Sequence, residues 1–307
     1  MKYKIAITGA GKIAYSLTSA LIKSGYEVDV IISRNAKSAG MLAKKFGVKH
    51  FGDNLLSIPQ PVNIFFLSVP DSEIKTVANL LSKCNLDFPN SIFIHLSGAE
   101  NISLLNVLKR KSAATASLHL MQTFPSKKIV TLKGVHAAIE TENDKAYKFL
   151  FSMSKKLGLI PFKIKSSDKV YYHLAGVFAS NFLAGNLYNS AKLFGKLNIN
   201  EKESFEILSS TIYKTLDNVK HFGSASALSG PVDRGDLKTV SSHIKSLKNL
   251  SKKEKNGNYF KNLLKNYLYQ SLNLLNLVEE KRGSLNKKHL AIKNLLVQEL
   301  SEIEDSN

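Results

Sequence analysis

Tryptophan is absent from this chain, cysteine occurs once, at Cys84, and only 7 of the 307 residues are proline. A single thiol excludes an intrachain disulfide, so stability must come from packing, which a chain of this length can supply across about two cores. Long apolar runs are missing too, and none approaches the ~18 residues that a membrane helix needs. The opening MKYKIAIT runs directly into an alternating apolar strand, without the basic start, apolar stretch and small-residue cleavage site of a secretion signal. These absences set the expectation of a cytoplasmic protein with no membrane partner, and of Cys84, in LLSKCNLDF, as an inert small thiol.

Acidic residues are scarce: 24 against 43 lysines and arginines, a net charge of +19. Such an excess raises the question of nucleic acid, because clustered cations release counterions from phosphate backbones. The lysines are instead spread along the whole chain. Their densest groups, Lys252, Lys253 and Lys255 and then Lys287 and Lys288, lack the interleaved aromatics of a single-strand groove. No nucleic-acid partner is expected, only a general field that favours small anionic ligands.

What is present alternates. Short β-branched or aromatic runs at 4–8, 28–33, 63–69, 91–97 and 115–120 are separated, in several cases, by segments of helical period such as IAYSLTSALIKSG and EIKTVANLLSKC, which predicts a parallel sheet with helices on both faces. Further strands are expected around 134–140 and 161–165. From Ser167 onward apolar residues recur at helical spacing with almost no strand signal. The reading is therefore an α/β fold: a Rossmann-type doubly wound sheet over 1–165, followed by an all-helical domain over 166–307.

The first strand leads into ITGAGKIAYSL, where Gly9, Gly11 and Ala14 form GxGxxA between strand and helix. The first glycine permits the tight turn, the second lets a pyrophosphate approach the backbone, and the small third residue brings helix and strand together. Lys12 and Ile13 then open a helix whose N-terminus favours anions. The second strand ends in Ser33, Arg34 and Asn35 where an NAD site would place an acid; Arg34 offers a planar cationic fork for a 2′-phosphate, and Asp29 lies inside the strand instead of at its tip. NADP is the expected cofactor.

Later strand ends carry LSVPDSEI, with Ser68, Val69, Pro70 and Asp71; IHLSGAE, with His95, Ser97 and Gly98; and SLHLMQTFP, with His119, Gln122 and Phe124. Ligands of doubly wound sheets collect at such ends. No pair of residues shows the HExxH or CxxC spacing of a metal site, and no metal is expected. In DKVYYHLAGVFASNF, a step of about 100° per residue puts Ser180 within roughly 20° of His173 and Asn181 about 80° away, with Lys169 one turn earlier. The surrounding small and apolar residues suggest that this polar stripe is buried.

The motifs TGAGKIAYSL, LSVPDSEI, HLSGA, SLHLMQTFP, YYHLAGVFASNF and LSGPVDRGD, in that order over about residues 3–250, together resemble a family of Rossmann-like proteins whose helical half is domain of unknown function 2520. That family is similar to pyrroline-5-carboxylate reductase, the β-hydroxyacid dehydrogenases and the ketopantoate reductases. Leu120 departs from it, standing where proline is expected. The resemblance implies a nicotinamide-dependent reductase that forms a homodimer through the helical domain, with His173 placed like the group that protonates the developing oxyanion and Asn181 like the one that orients substrate. In LSGPVDRGD, Arg234 can grip a substrate carboxylate by two parallel hydrogen bonds, with Asp236 expected to orient it. The expected reaction is NADPH-dependent reduction of a small carboxylated substrate, a 2-keto acid of the ketopantoate type, with a cyclic imine of the pyrroline-5-carboxylate type, or a sensor without turnover, as alternatives.

Overall fold

The computed structural model describes residues 3–59, 61–253 and 257–305; Lys255 lies outside them. The chain separates into two compact units, 1–183 and 184–307. Residues 166–183, which the sequence groups with the helical half, are thus held by the sheet unit, for a reason given below.

The sheet unit runs β1 (Lys4–Thr8), α1 (Lys12–Lys23), β2 (Glu27–Ile32), α2 (Ala36–Phe46), β3 (His50–Gly52), β4 (Ile64–Leu67), α3 (Ile74–Leu81), β5 (Ile92–His95), α4 (Asn106–Lys109), β6 (Ala114–Leu120), β7 (His136–Glu140), α5 (Asp144–Lys156), β8 (Ile160–Lys163) and α6 (Lys169–Gly176). Its eight strands lie in the order β3-β2-β1-β4-β5-β6-β7-β8. All pairs are parallel except β6 with β7. The doubly wound expectation holds. Successive residues of one strand serve opposite faces, as the two-residue period of a strand requires. Ile5 and Ile7 of β1, with Ile64 and Phe66 of β4, pack under α1, α2 and α5, whereas Ala6, Phe65 and Phe93 pack under α3 and α4. Phe65 and Phe93 stack with ring centroids 4.4 Å apart. Burial on both faces explains why the strands read as continuous apolar runs.

Two features were not read from the sequence. β3 is a three-residue edge strand, too short to leave a period. β7 returns antiparallel, so that Leu120 faces Ala137; Leu120 is buried and extends β6 into this pairing.

The helical unit contains α7 (Leu183–Phe194, whose first residue closes the sheet unit), α8 (Glu201–Ala227, interrupted at Gly223), α9 (Pro231–Arg234), α10 (Leu237–Lys253), α11 (Gly257–Arg282) and α12 (Lys287–Asp305). Its core joins Val232 to one stripe from each of the last three helices, including Val240, Ile244, Leu264, Leu268, Ile292 and Leu296. By contrast α7 and α8 leave Tyr188, Phe205, Tyr213, Leu216 and Phe222 exposed. No helix among the described residues is long and apolar enough to cross a membrane.

Candidate active site

The strand order reverses between β1 and β4, and the carboxyl ends of both strands meet there. Gly9 has φ +102°, and a Cβ on it would lie 2.1 Å from the Ser68 carbonyl oxygen. Only glycine fits so close an approach in that backbone region. The Gly9 amide donates to Ile32 O at 2.7 Å and the Ser68 amide to Thr8 O at 2.7 Å, which ties the ends of β1, β2 and β4 together. α1 starts at Gly11 with no side-chain cap and no acidic residue in its first turn. Its leading amides, those of Lys12 and Ile13 included, keep their affinity for an anion. The hydroxyls of Thr8 and Ser68 are buried at the same strand ends with no hydrogen-bond partner among the described residues.

At the tip of β2, Ser33 donates its amide to Gly52 O. The Arg34 side chain is 92% exposed, with Glu73 4.0 Å away. Asp29 sits within β2, 3.9 Å from the ammonium of Lys4. Pro70 ends the segment after β4, and Val69 packs against the sheet.

The end of β5 is the most elaborately bonded part. Ser97 donates its amide to His95 Nδ1 at 3.2 Å and its hydroxyl to Asp71 Oδ2 at 2.8 Å, while that hydroxyl accepts the amides of Ala99 and Glu100. Gly98 packs on His119: a Cβ there would come within 2.7 Å of Nε2. Register aligns His95, Ser117 and Glu140 across β5, β6 and β7. Into this row α6 inserts Lys169, whose side chain is 2% exposed. Its ammonium donates to Ser97 O at 3.0 Å, to Ser117 Oγ at 2.8 Å and to Glu100 O, and lies 3.0 Å from Glu140 Oε2. The other oxygen of Glu140 accepts the Ile102 amide at 3.1 Å and the Ser166 hydroxyl at 2.6 Å. This anchorage keeps the first turns of α6 with the sheet.

One turn along, the Tyr172 hydroxyl lies 3.0 Å from His119 Nδ1, and the rings of His119 and His173 are 6.4 Å apart. Burial, then the charge of Lys169, brings the His119 imidazole down to about 4; the same two causes bring His95 to about 3. Burial pushes the Tyr172 phenol up to about 12. Both partners of the Tyr172–His119 hydrogen bond are neutral at pH 7.

The polar stripe expected on this helix is altered. His173 and Asn181 are exposed, and so are the apolar residues around them, Tyr171, Leu174, Phe178 and Phe182. Residues Val177–Phe182 are wound as a π-helix. Its wider turn advances fewer degrees per residue, so the uniform step that aligned Ser180 with His173 does not apply. Tyr172 and Glu140 were missed by sequence reasoning. An acid closing the apolar strand GVHAAIE, and a lysine in an otherwise uncharged helix, were the signals that each needed a buried partner.

In the helical unit Arg234 is exposed at the end of α9. Asp236 does not orient it: its carboxylate accepts the Thr239 amide at 3.0 Å and the Thr239 hydroxyl at 2.7 Å, capping α10. The acid that does hold cations in this loop is Asp233, paired with Arg282 at 2.9 Å and Lys281 at 3.1 Å. Among the described residues no group of three His, Cys, Asp or Glu is placed to hold a metal ion.

Fold and strand-end geometry together define a Rossmann-type protein with a helical second unit. Residues 4–95 match the family described as NADP oxidoreductase coenzyme F420-dependent, and residues 135–267 match the domain of unknown function DUF2520, in line with the resemblance seen in the sequence. A pyrroline-5-carboxylate reductase of Vibrio alginolyticus is 27% identical over 147 residues, 47% of this chain and 52% of that protein, so the match spans about half of each. Among solved structures, protein TM1727 from Thermotoga maritima is 26% identical with a TM-score of 0.65 over 91% of this chain and 99% of its own. A Bacteroides fragilis protein, BF3122, provisionally named an NADP oxidoreductase, shares the fold with a TM-score of 0.73 at 22% identity over 89% of this chain and 98% of its own.

Proposed function

We propose that this chain is a cytosolic NADPH-dependent reductase of a small carboxylated substrate. The observation that carries this is the β1–α1 turn, where the glycine backbone, an uncapped helix N-terminus and two unpartnered hydroxyls converge at the reversal of strand order. Those residues fit a pyrophosphate: the Cβ position of Gly11 meets only Ser68 O, at 3.7 Å, which leaves its outer side open. The exposed fork of Arg34 fits a 2′-phosphate and β2 does not itself end in an acid; Glu73, 4.0 Å from that fork, would have to give way to the phosphate. Ser68, Val69, Pro70, Ser97 and Gly98 would line the nicotinamide end. When bound, the reduced cofactor supplies a hydride to an electrophilic carbon.

The chain's own groups hold the acceptor and handle the proton. With His119 in its Nδ1–H tautomer donating to the phenol oxygen, neutral Tyr172 keeps its own proton free to donate to a heteroatom as charge develops on it. His173, beside His119, and Asn181 and Ser180 further along are proposed to orient substrate; Arg234, exposed in the helical unit, is proposed separately as a carboxylate-binding group. Of the two acceptors, a cyclic imine of the pyrroline-5-carboxylate type is supported by the Vibrio relative. The 2-keto acid reading is favoured by the neutral phenol, since an alkoxide needs a donor more than a pre-charged iminium does. The exposed rings of α8 support a homodimer through the helical unit.

The test is to follow NADPH absorbance against pyrroline-5-carboxylate and ketopantoate. Oxidation of the cofactor by either identifies the class of acceptor. Tight NADPH binding with neither substrate consumed would leave a cofactor-binding sensor instead of an enzyme.

A further inference from the structure

Among the described residues Lys169 is the one buried lysine or arginine of the sheet unit, and the proton-donor role is the obvious use for a buried lysine beside a candidate site. Its surroundings argue otherwise. An ammonium has three donors, and four acceptors already surround this one: Ser97 O, Glu100 O, Ser117 Oγ and Glu140 Oε2. Glu140 in turn is held by the Ile102 amide and the Ser166 hydroxyl. No proton of Lys169 is left pointing away from this cage.

The cage has two walls with different jobs. Ser97 O and Glu100 O belong to the segment after β5, which also carries Gly98. Ser166 lies just ahead of α6, the helix that bears Tyr172 and His173. We propose that the Lys169–Glu140 pair is a positioning device, which fixes the Ser97–Glu100 segment against the start of α6, and that Lys169 donates no proton in the reaction.

Three consequences follow from the bonding. First, Ser97 is a junction: its carbonyl is held by Lys169 while its hydroxyl reaches Asp71 and the amides of Ala99 and Glu100. Loss of the ammonium should therefore loosen the whole turn. Second, the charge sits near His119 and is among the causes that keep it neutral, together with burial and His173 and against the pull of Asp71. Third, the pair cannot be halved. Removing Lys169 alone strands a buried carboxylate, whereas replacing both charges by neutral isosteres is often tolerated.

The loop claim stands without the reductase reading; only its effect on cofactor binding rests on it. The experiment uses the full chain as Lys169→Met/Glu140→Gln, compared with the unmodified protein by amide hydrogen exchange, histidine-ring NMR titration and NADPH calorimetry. The expected result is at least ~10-fold faster exchange at Ala99, Glu100 and Ile102 with the central strands unchanged, a His119 titration moved upward, and a ~10-fold weaker NADPH complex. Unchanged exchange and titration in the folded variant would overturn the proposal. So would a variant that keeps loop protection and cofactor affinity yet loses turnover, since that pattern marks a proton donor. If the variant fails to fold, lysine-Nζ NMR of the unmodified protein decides: an ammonium that stays protonated and slowly exchanging from pH 6 to 9, with NADPH present, supports the cage, and rapid exchange or deprotonation overturns it. Failure of the unmodified protein to bind NADPH would count against the reductase reading and leave the exchange result to judge the loop.

Discussion

The two units differ in how much polar side chain they bury at a candidate site. In the sheet unit a lysine, a glutamate, a histidine and several hydroxyls are buried: Lys169, Glu140, His95, Ser97 and Ser117. In the helical unit the core of α9 to α12 is mainly apolar, with Asp233, Ser271 and His289 buried beside it, and Phe222 is 67% and Tyr213 62% exposed on α8. Each arrangement is unfavourable taken alone. A buried ion carries a desolvation penalty of several kcal/mol unless its bonds are complete, and a large side chain left in water forgoes about 1.5–3 kcal/mol. Polar burial at strand ends is what a reaction site needs, and apolar exposure along a helix is what a protein partner needs. The comparison therefore predicts chemistry at the strand ends of the first unit and association along α8 of the second.

The sharpest way to break the first half of that comparison is Gly9→Ala. The new methyl would collide with Ser68 O in a backbone region that disfavours side chains, so a loss on the order of 3 kcal/mol in stability is expected, with NADPH binding abolished. Calorimetry and thermal melting report both, and normal binding would place the cofactor elsewhere. Acid should come next. His95, buried, and His119, half-buried, are held neutral, at about 3 and about 4, against 6.5 for an exposed imidazole. Between those values the unfolded chain binds more protons than the folded one. Stability is therefore full above pH 6.5 and is lost as pH falls, by about 1.4 kcal/mol per pH unit for each histidine. Melting between pH 7 and 5, above most carboxylate titration, measures the slope, and His119→Asn should flatten it. For the helical unit, Tyr213→Asp with Phe222→Asp should weaken self-association ~100-fold or more in sedimentation while the sheet unit's melting is unchanged. Monomeric unmodified protein would remove the partner.

Much of the sheet unit was legible in the sequence because its physics is local. GAGKIA announces a turn, short β-branched or aromatic runs mark most of the strands, and the loops at their ends follow in chain order. What was not legible depended on register. That Lys169 would reach Glu140, or that Tyr172 and not His173 would bond His119, follows from β7 running antiparallel to β6, which no spacing in the sequence reveals. The π-wound stretch at 177–182 defeated the helical-wheel argument for the same reason: it assumed one period where the backbone uses two. In LSGPVDRGD both aspartates were visible, but which one would hold a cation was decided by α11, whose Lys281 and Arg282 reach Asp233.

Smaller effects sharpen the assignment of individual charges. Arg34→Asp should weaken NADPH by ~10- to 100-fold and NADH far less, because only the former carries the 2′-phosphate that a guanidinium fork would hold; equal losses would disconnect Arg34 from that phosphate. The smallest effect distinguishes two uses of one carboxylate. If Asp236 acted on substrate through Arg234, Asp236→Asn and Arg234→Lys would both raise the KM for substrate. Because its oxygens are occupied by the amide and hydroxyl of Thr239, and asparagine caps a helix about as well as aspartate, Asp236→Asn should leave KM unchanged. Asp236→Ala should lower Tm by ~2–4 °C through loss of the cap. A rise in KM with Asp236→Asn, at constant Tm, would return this carboxylate to the substrate and break its assignment to helix capping.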